Sequence, residues 1–177
     1  TDLGHKMIAD LICNLLDTEY SYYKKLGAEK KPSLPEPFTA SRYEDAQRFQ
    51  NYSCSPVMEG FEPDTHAAEQ WSDPFKGGWI AHKQGSCIKF NVSGSIIMLQ
   101  YRKTINKPAP VAYAVIDGDR QNKVLLDANF DEDWGDLCCL EEIYSGAKGE
   151  HTVEIVIDTE GKENSDFMLI SVITANK

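Results

Sequence analysis

Tryptophan and carboxylate are the residue types in this chain with most to offer a ligand. Trp71, Trp79 and Trp134 are its three tryptophans, and Tyr144 adds another broad ring. Trp134 stands in the run NFDEDWGD, with Asp131, Asp133 and Asp136 beside it. A flat ring stacks on the C–H side of a sugar while nearby carboxylates accept from its hydroxyls. Trp134, Trp79, Trp71 and Tyr144, together with Asp131 and Asp133, are therefore the candidate saccharide contacts. Two of these rings have a second reading. Trp79 follows the pair Gly77-Gly78 at a strand start, where it would pack across the end of the fold, and Trp134 can equally be a partly covered ring at an edge.

Asp127, Asn129, Asp131, Asp133 and Asp136 also form an oxygen-rich D-x-N-x-D-x-D run of the kind calcium favours. As a calcium loop it departs from the pattern at Glu132, where a glycine is expected, and at Cys138, where an acidic residue is expected. A solvated acidic face is the other reading, and calcium is the sole cofactor the sequence suggests. His66, His82 and His151 share no spacing that suggests a metal triad, and His151 beside Glu150 reads as a local hydrogen bond at a strand start. No Gly-Asp-Ser nucleophile block occurs, since the nearest string is Gly118-Asp119-Arg120. Asp2 and His5 have Asp-x-x-His spacing, but a serine esterase also needs a nucleophile and oxyanion donors.

Composition narrows the partners. The 177 residues carry a net charge of −10, which repels nucleic acid, and no basic patch offsets it. Apolar runs such as Ile96 to Leu99 are too short to cross a bilayer, so no membrane is expected. The five cysteines, Cys13, Cys54, Cys87, Cys138 and Cys139, are odd in number and lack C-x-x-C spacing. They read as reduced, partly buried small hydrophobes. That suits a secreted or cytoplasmic bacterial protein, an anaerobe's included, without fixing the compartment.

The elements that must hold the candidate residues follow from periodicity. Leu3, Met7, Ile8, Leu11, Ile12, Leu15 and Leu16 recur at helical spacing, with Asp2 placed to cap, which predicts an amphipathic helix from residue 3 to about 25. GAEKKPSLPEP, residues 27–37, is a proline-rich linker. Residues 38–58 suggest a short helix or turn, because Tyr43, Ala46 and Phe49 are nearly helical in spacing. Residues 61–75 read as a long loop with aromatic content. The stretch 77–101 predicts a hairpin, Ile88, Phe90 and Val92 alternating in its first strand and Gly94-Ser95 turning it into a second. Val111 to Ile116 and Val124 to Leu126 are strands around the Asp117-Gly118-Asp119 turn. Leu137 to Ile143 is strand or helix, Gly146 and Gly149 bracket a turn, and Thr152 to Ile157 and Phe167 to Thr174 close the pattern. Strand-like runs at short spacing, almost without helix, predict a mainly β fold, an antiparallel β-sandwich or jelly roll, behind an N-terminal amphipathic helix.

Two stretches carry a resemblance. Thr1 to Asp10, TDLGHKMIAD, resembles the segment after the catalytic Asp-x-x-His-Pro block of SGNH (GDSL-type) esterases, where a Gly-His pair opens the final helix. The Gly78-Trp79 strand start, the strand ending at Tyr101, the Val115-Ile116-Asp117-Gly118 turn and the strand GEHTVEI, residues 149–155, resemble the galactose-binding-like jelly rolls that accompany such carbohydrate esterases. The resemblance implies that residues 1–26 are the terminal helix of a preceding hydrolase domain, 27–37 a linker and 38–177 a jelly roll. The catalytic Asp and His would then lie upstream of Thr1. It also implies a non-catalytic accessory module that binds a polysaccharide or oligosaccharide near the esterase site. The alternatives are a structural module that stabilises the hydrolase, and an active esterase fragment using Asp2 and His5. The orphan apolar stripe of the helix would pack on its hydrolase or pair between chains as a dimer.

Overall fold

The computed structural model of the protein describes residues 2–25, 39, 41–67, 73–163 and 165–176. These fall into two compact units, 1–40 and 41–177. The first contains one helix, α1, Asp2–Lys25, with Asp2 in its first turn and Lys24 and Lys25 in its last, charges that suit the helix dipole. Lys6 pairs with Asp10 one turn on, at 2.8 Å. No residue of α1 is buried, and its apolar stripe of Leu3, Met7, Ile8, Leu11, Ile12, Leu15 and Leu16 is exposed. The predicted linker, 27–37, lies outside the described residues.

The second unit is an antiparallel jelly-roll sandwich. Its strands are β1 (Glu44–Phe49), β2 (Val57–Glu59), β3 (Glu62–Pro63), β4 (Trp79–Ala81), β5 (Cys87–Lys103), β6 (Val111–Ile116), β7 (Val124–Asp127), β8 (Leu137–Thr159) and β9 (Phe167–Asn176). Every pairing between these strands is antiparallel, in the order β3-β4-β9-β5-β8-β6-β7, with β1 on β9 and β2 on β5.

Two long strands shape the sandwich, and they correct the predicted hairpin. Gly94-Ser95 does not reverse the chain; β5 runs through it, and β8 likewise runs through Gly146 and Gly149. Gly94 lies opposite Gly149, and the register shifts between Gly94 and Ile96. Glycines facing each other let a paired ribbon bend, so the two strands turn a corner together and pass from one layer into the other. In one layer the later half of β5 pairs with β9 and the early half of β8, and β9 carries β1 and β4 on its far side. In the other layer the early half of β5 joins β2 to the later half of β8, which continues into β6 and β7. Leu137 to Ile143 is therefore strand.

The core between the layers draws Ile97, Leu99, Leu169 and Val172 from the first and Ile88, Phe90, Val153, Ile155 and Ile157 from the second. Apolar residues on alternate positions give each strand this one shared face. The expected helix or turn in 38–58 is instead β1, paired along β9. A register shift between Glu44 and Gln47, with Asp45 at φ 50°, inserts an irregularity that hides the strand period and mimics helical spacing.

Candidate functional site

The connections at one end of the sandwich, residues 104–110, 127–136, 160–163 and 165–166, tie one another down. Thr104 N donates to Ala128 O at 2.8 Å, and Phe130 N to Thr104 O at 3.0 Å. Asn129 Oδ1 accepts from Ala109 N at 2.8 Å, while Asp127 Oδ1 accepts from both the backbone and the side-chain nitrogen of Asn129, at 2.9 and 2.7 Å. Lys162 N donates to Pro108 O at 2.9 Å, and Ser165 Oγ to Asn106 O at 2.9 Å. Short polar side chains that bond locally replace the strand ladder here.

This frame presents Trp134. The ring is 64% exposed and stands edge-on to Phe130, centroids 5.2 Å apart at 88°. Gly135 follows at φ 137°, a conformation glycine adopts readily. Three residues earlier in the same loop Asp131, with a side chain 96% exposed, pairs with Lys107. The Lys107 ammonium, bonding to Asp131 and acting through its charge, holds that carboxyl below its usual range. Asp133 is exposed nearby in sequence. The arrangement offers an apolar face with an acceptor and a donor close by in the same set of loops, the chemistry that holds a neutral sugar ring.

The other candidates fare differently. Trp79 is corrected: it is 1% exposed and packs edge-on against Phe90 in the opposite layer, at 5.0 Å, so it has no face for a ligand. Tyr144 belongs to the corner of β8, where its hydroxyl donates to Ala147 O at 3.0 Å and its ring lies 4.2 Å from that of His151. Leu137 to Tyr144 is roughly 23 Å of extended chain, so Tyr144 and Trp134 do not form one platform. Trp71 lies outside the described residues.

The proposed calcium ligands do not converge. Asp127 accepts from Asn129, which bonds in turn to Ala109, Asp131 reaches Lys107, and Asp136 accepts from Ile105 N at 3.3 Å with Arg102 Nε 3.8 Å away. Among the described residues no three His, Cys, Asp or Glu side chains gather to hold a metal. Asp127, Asp131 and Asp136 thus each face a different donor.

Sequence reasoning missed that each of three histidines has an aspartate at Nδ1. His66 pairs with Asp64 at 2.9 Å, His82 with Asp166 at 2.9 Å and His151 with Asp117 at 2.7 Å. The partner of His151 is therefore Asp117, across from β8, and not its neighbour Glu150. Only the Asp64-x-His66 spacing was visible in the chain; the other pairs are made by strand register. All five cysteines are free, and burial raises the thiols of Cys54, Cys87 and Cys138.

No known family profile matches the chain, and no curated protein matches it. Among solved structures it is similar to a two-domain esterase (CEX) active on acetylated mannans, co-crystallised with mannopentaose. There the identity is 40% and the TM-score 0.77, over 99% of this chain and 47% of that one. A second structure of a two-domain esterase (CEX) active on acetylated mannans gives 38% identity and a TM-score of 0.77, over 99% of this chain and 48% of that one. A family two carbohydrate esterase from Cellvibrio japonicus shares the fold alone, at 14% identity and a TM-score of 0.52, over 75% of this chain and 34% of that one. The chain thus spans about half the length of these two esterases. It is a β-sandwich preceded in sequence by a helix, and over nearly its whole length it is similar to part of those two esterases.

Proposed function

We propose that this chain is a non-catalytic accessory module of a carbohydrate-active SGNH (GDSL-type) esterase, and that its sandwich holds a polysaccharide or oligosaccharide near the esterase site. The observation that carries the reading is Trp134, an open ring braced by Phe130 in the same loop as the Asp131 that pairs with Lys107. Asp133 completes the candidate contacts. The likeness to an esterase active on acetylated mannans supports a neutral mannan-type ligand. Tethering a polymer raises its effective concentration at a neighbouring site without any chemistry by the tether. In this reading residues 1–26 are the last helix of the hydrolase, 27–37 the linker and 38–177 the binding module.

A second reading is favoured by α1. Its apolar stripe is exposed along the helix, as expected of an element made to pack on a partner domain. The module would then serve to stabilise the hydrolase. The two readings separate in a pull-down of the purified chain with a panel of insoluble mannans, xylans and cellulose. The binding module is retained by at least one polymer and Trp134→Ala is not, whereas a purely structural module is retained by none. A parallel assay with a small acetyl ester is expected to give no turnover; hydrolysis that disappears in His5→Ala would establish the esterase fragment instead.

A further inference from the structure

A groove lies along the outer side of the β3, β4 and β9 edge, lined by Gly60, Glu62, Ile80, His82, Lys83 and Asp166. We infer that this groove is a second saccharide subsite, taking a distal sugar of the same chain whose other part rests on Trp134. The inference rests on the reading of Trp134 as a platform.

The chemistry of the groove suits a hydroxylated ligand. His82 Nδ1 lies 2.9 Å from Asp166 Oδ1. A carboxylate only accepts, so Nδ1 is the donor in this pair and Nε2 is left for a ligand hydroxyl. The two side chains are 48% and 38% exposed, open to a ligand yet oriented by each other. Glu62 adds a second acceptor, Lys83 a donor, and Ile80 an apolar patch. Sugar hydroxyls both donate and accept, and a ring's C–H groups suit an aliphatic surface. Two carboxylates against one lysine disfavour an anionic ligand. The wall is set by a close approach: Gly60 sits at φ 75°, and a Cβ there would meet Ser86 Oγ at 2.4 Å.

Arg102 joins the groove to the Trp134 loop. Its Nη2 donates to the Asp166 carbonyl at 3.4 Å, while its Nε lies 3.8 Å from Asp136 Oδ2 and has no hydrogen-bond partner. Asp136 follows Trp134 in the same loop. From β8 across β5 and β9 to β4 is three strand spacings, about 14 Å. A single sugar ring cannot reach both places, and an oligosaccharide can.

The test is calorimetric titration of the full chain with manno-oligosaccharides of increasing length, comparing wild type, His82→Ala, Glu62→Gln and Trp134→Ala. Thermal melts verify that each variant is folded. His82→Ala and Glu62→Gln are expected to leave the shortest binding oligomer unaffected and to weaken the longest about three- to tenfold. Trp134→Ala weakens every length. If both groove variants match wild type at every length, or lose equally at all of them, the second subsite is wrong while the Trp134 platform stands. If wild type binds no length, the platform reading fails and this one with it.

Discussion

Trp79→Ala would empty a fully enclosed site in the core and leave Phe90 without its edge-on neighbour. Such truncations cost about 3–5 kcal/mol, so the midpoint of chemical denaturation should fall sharply. Trp134→Ala removes a ring that is mostly in water and should cost less than about 1 kcal/mol of stability, leaving the midpoint nearly unmoved. Equal losses in the two variants would contradict this division of labour. Asp117 gives a pH signature at the same scale. The hydrogen bond with His151, then that from Thr152 N, holds its carboxyl below the usual range. The folded state therefore keeps the carboxylate to lower pH than the unfolded chain does. Its stabilisation is complete above the ordinary carboxylate range and is lost as pH falls through the lowered value. Asp117→Asn should lower the melting temperature at pH 7, and the gap to wild type should close in strong acid. A gap that is constant with pH would exclude the linkage.

Gly78 shows how tightly the elements are fitted. A Cβ there would lie 1.9 Å from the Leu169 carbonyl oxygen, in the backbone of the strand that pairs with β4. Backbone cannot swing aside, so Gly78→Ala should cost more than about 3 kcal/mol, beyond ordinary overpacking. A near-native melt would refute the close approach. The glycine pair before Trp79 was legible in the sequence for this reason, as were the later part of β8, where alternation is clean, and β6 and β9, which are short apolar runs. The corners were not. Gly94 and Gly149 carry the same signal as a hairpin turn, and only their position opposite each other makes them a bend. The bulge at Asp45 concealed β1, because an irregular residue breaks the two-residue period. Of the site, Trp134 and its acidic neighbours were readable, since they are local in sequence. Lys107 beside Asp131, and Asp166 beside His82, were not, because loop packing and strand register bring them together from far apart.

At the scale of the whole molecule, a compact sandwich accompanies a helix that carries no buried residue. An isolated helix of this kind gains little from propensity alone, and its apolar stripe favours association. Sedimentation of the chain should show self-association that Leu11→Glu with Leu15→Glu abolishes; a strict monomer at high concentration would contradict it. The net charge of −10 makes a neutral polymer a better partner than an acidic one. The central claim is that the sandwich takes a saccharide on Trp134, and tryptophan fluorescence during titration with mannopentaose tests it most directly. Trp134 is exposed and Trp79 enclosed, so a bound sugar should shift the emission to the blue, saturably, and Trp134→Phe should remove that shift. Saturable binding with the same blue shift in Trp134→Phe, or no binding at all by the folded wild type, would contradict it.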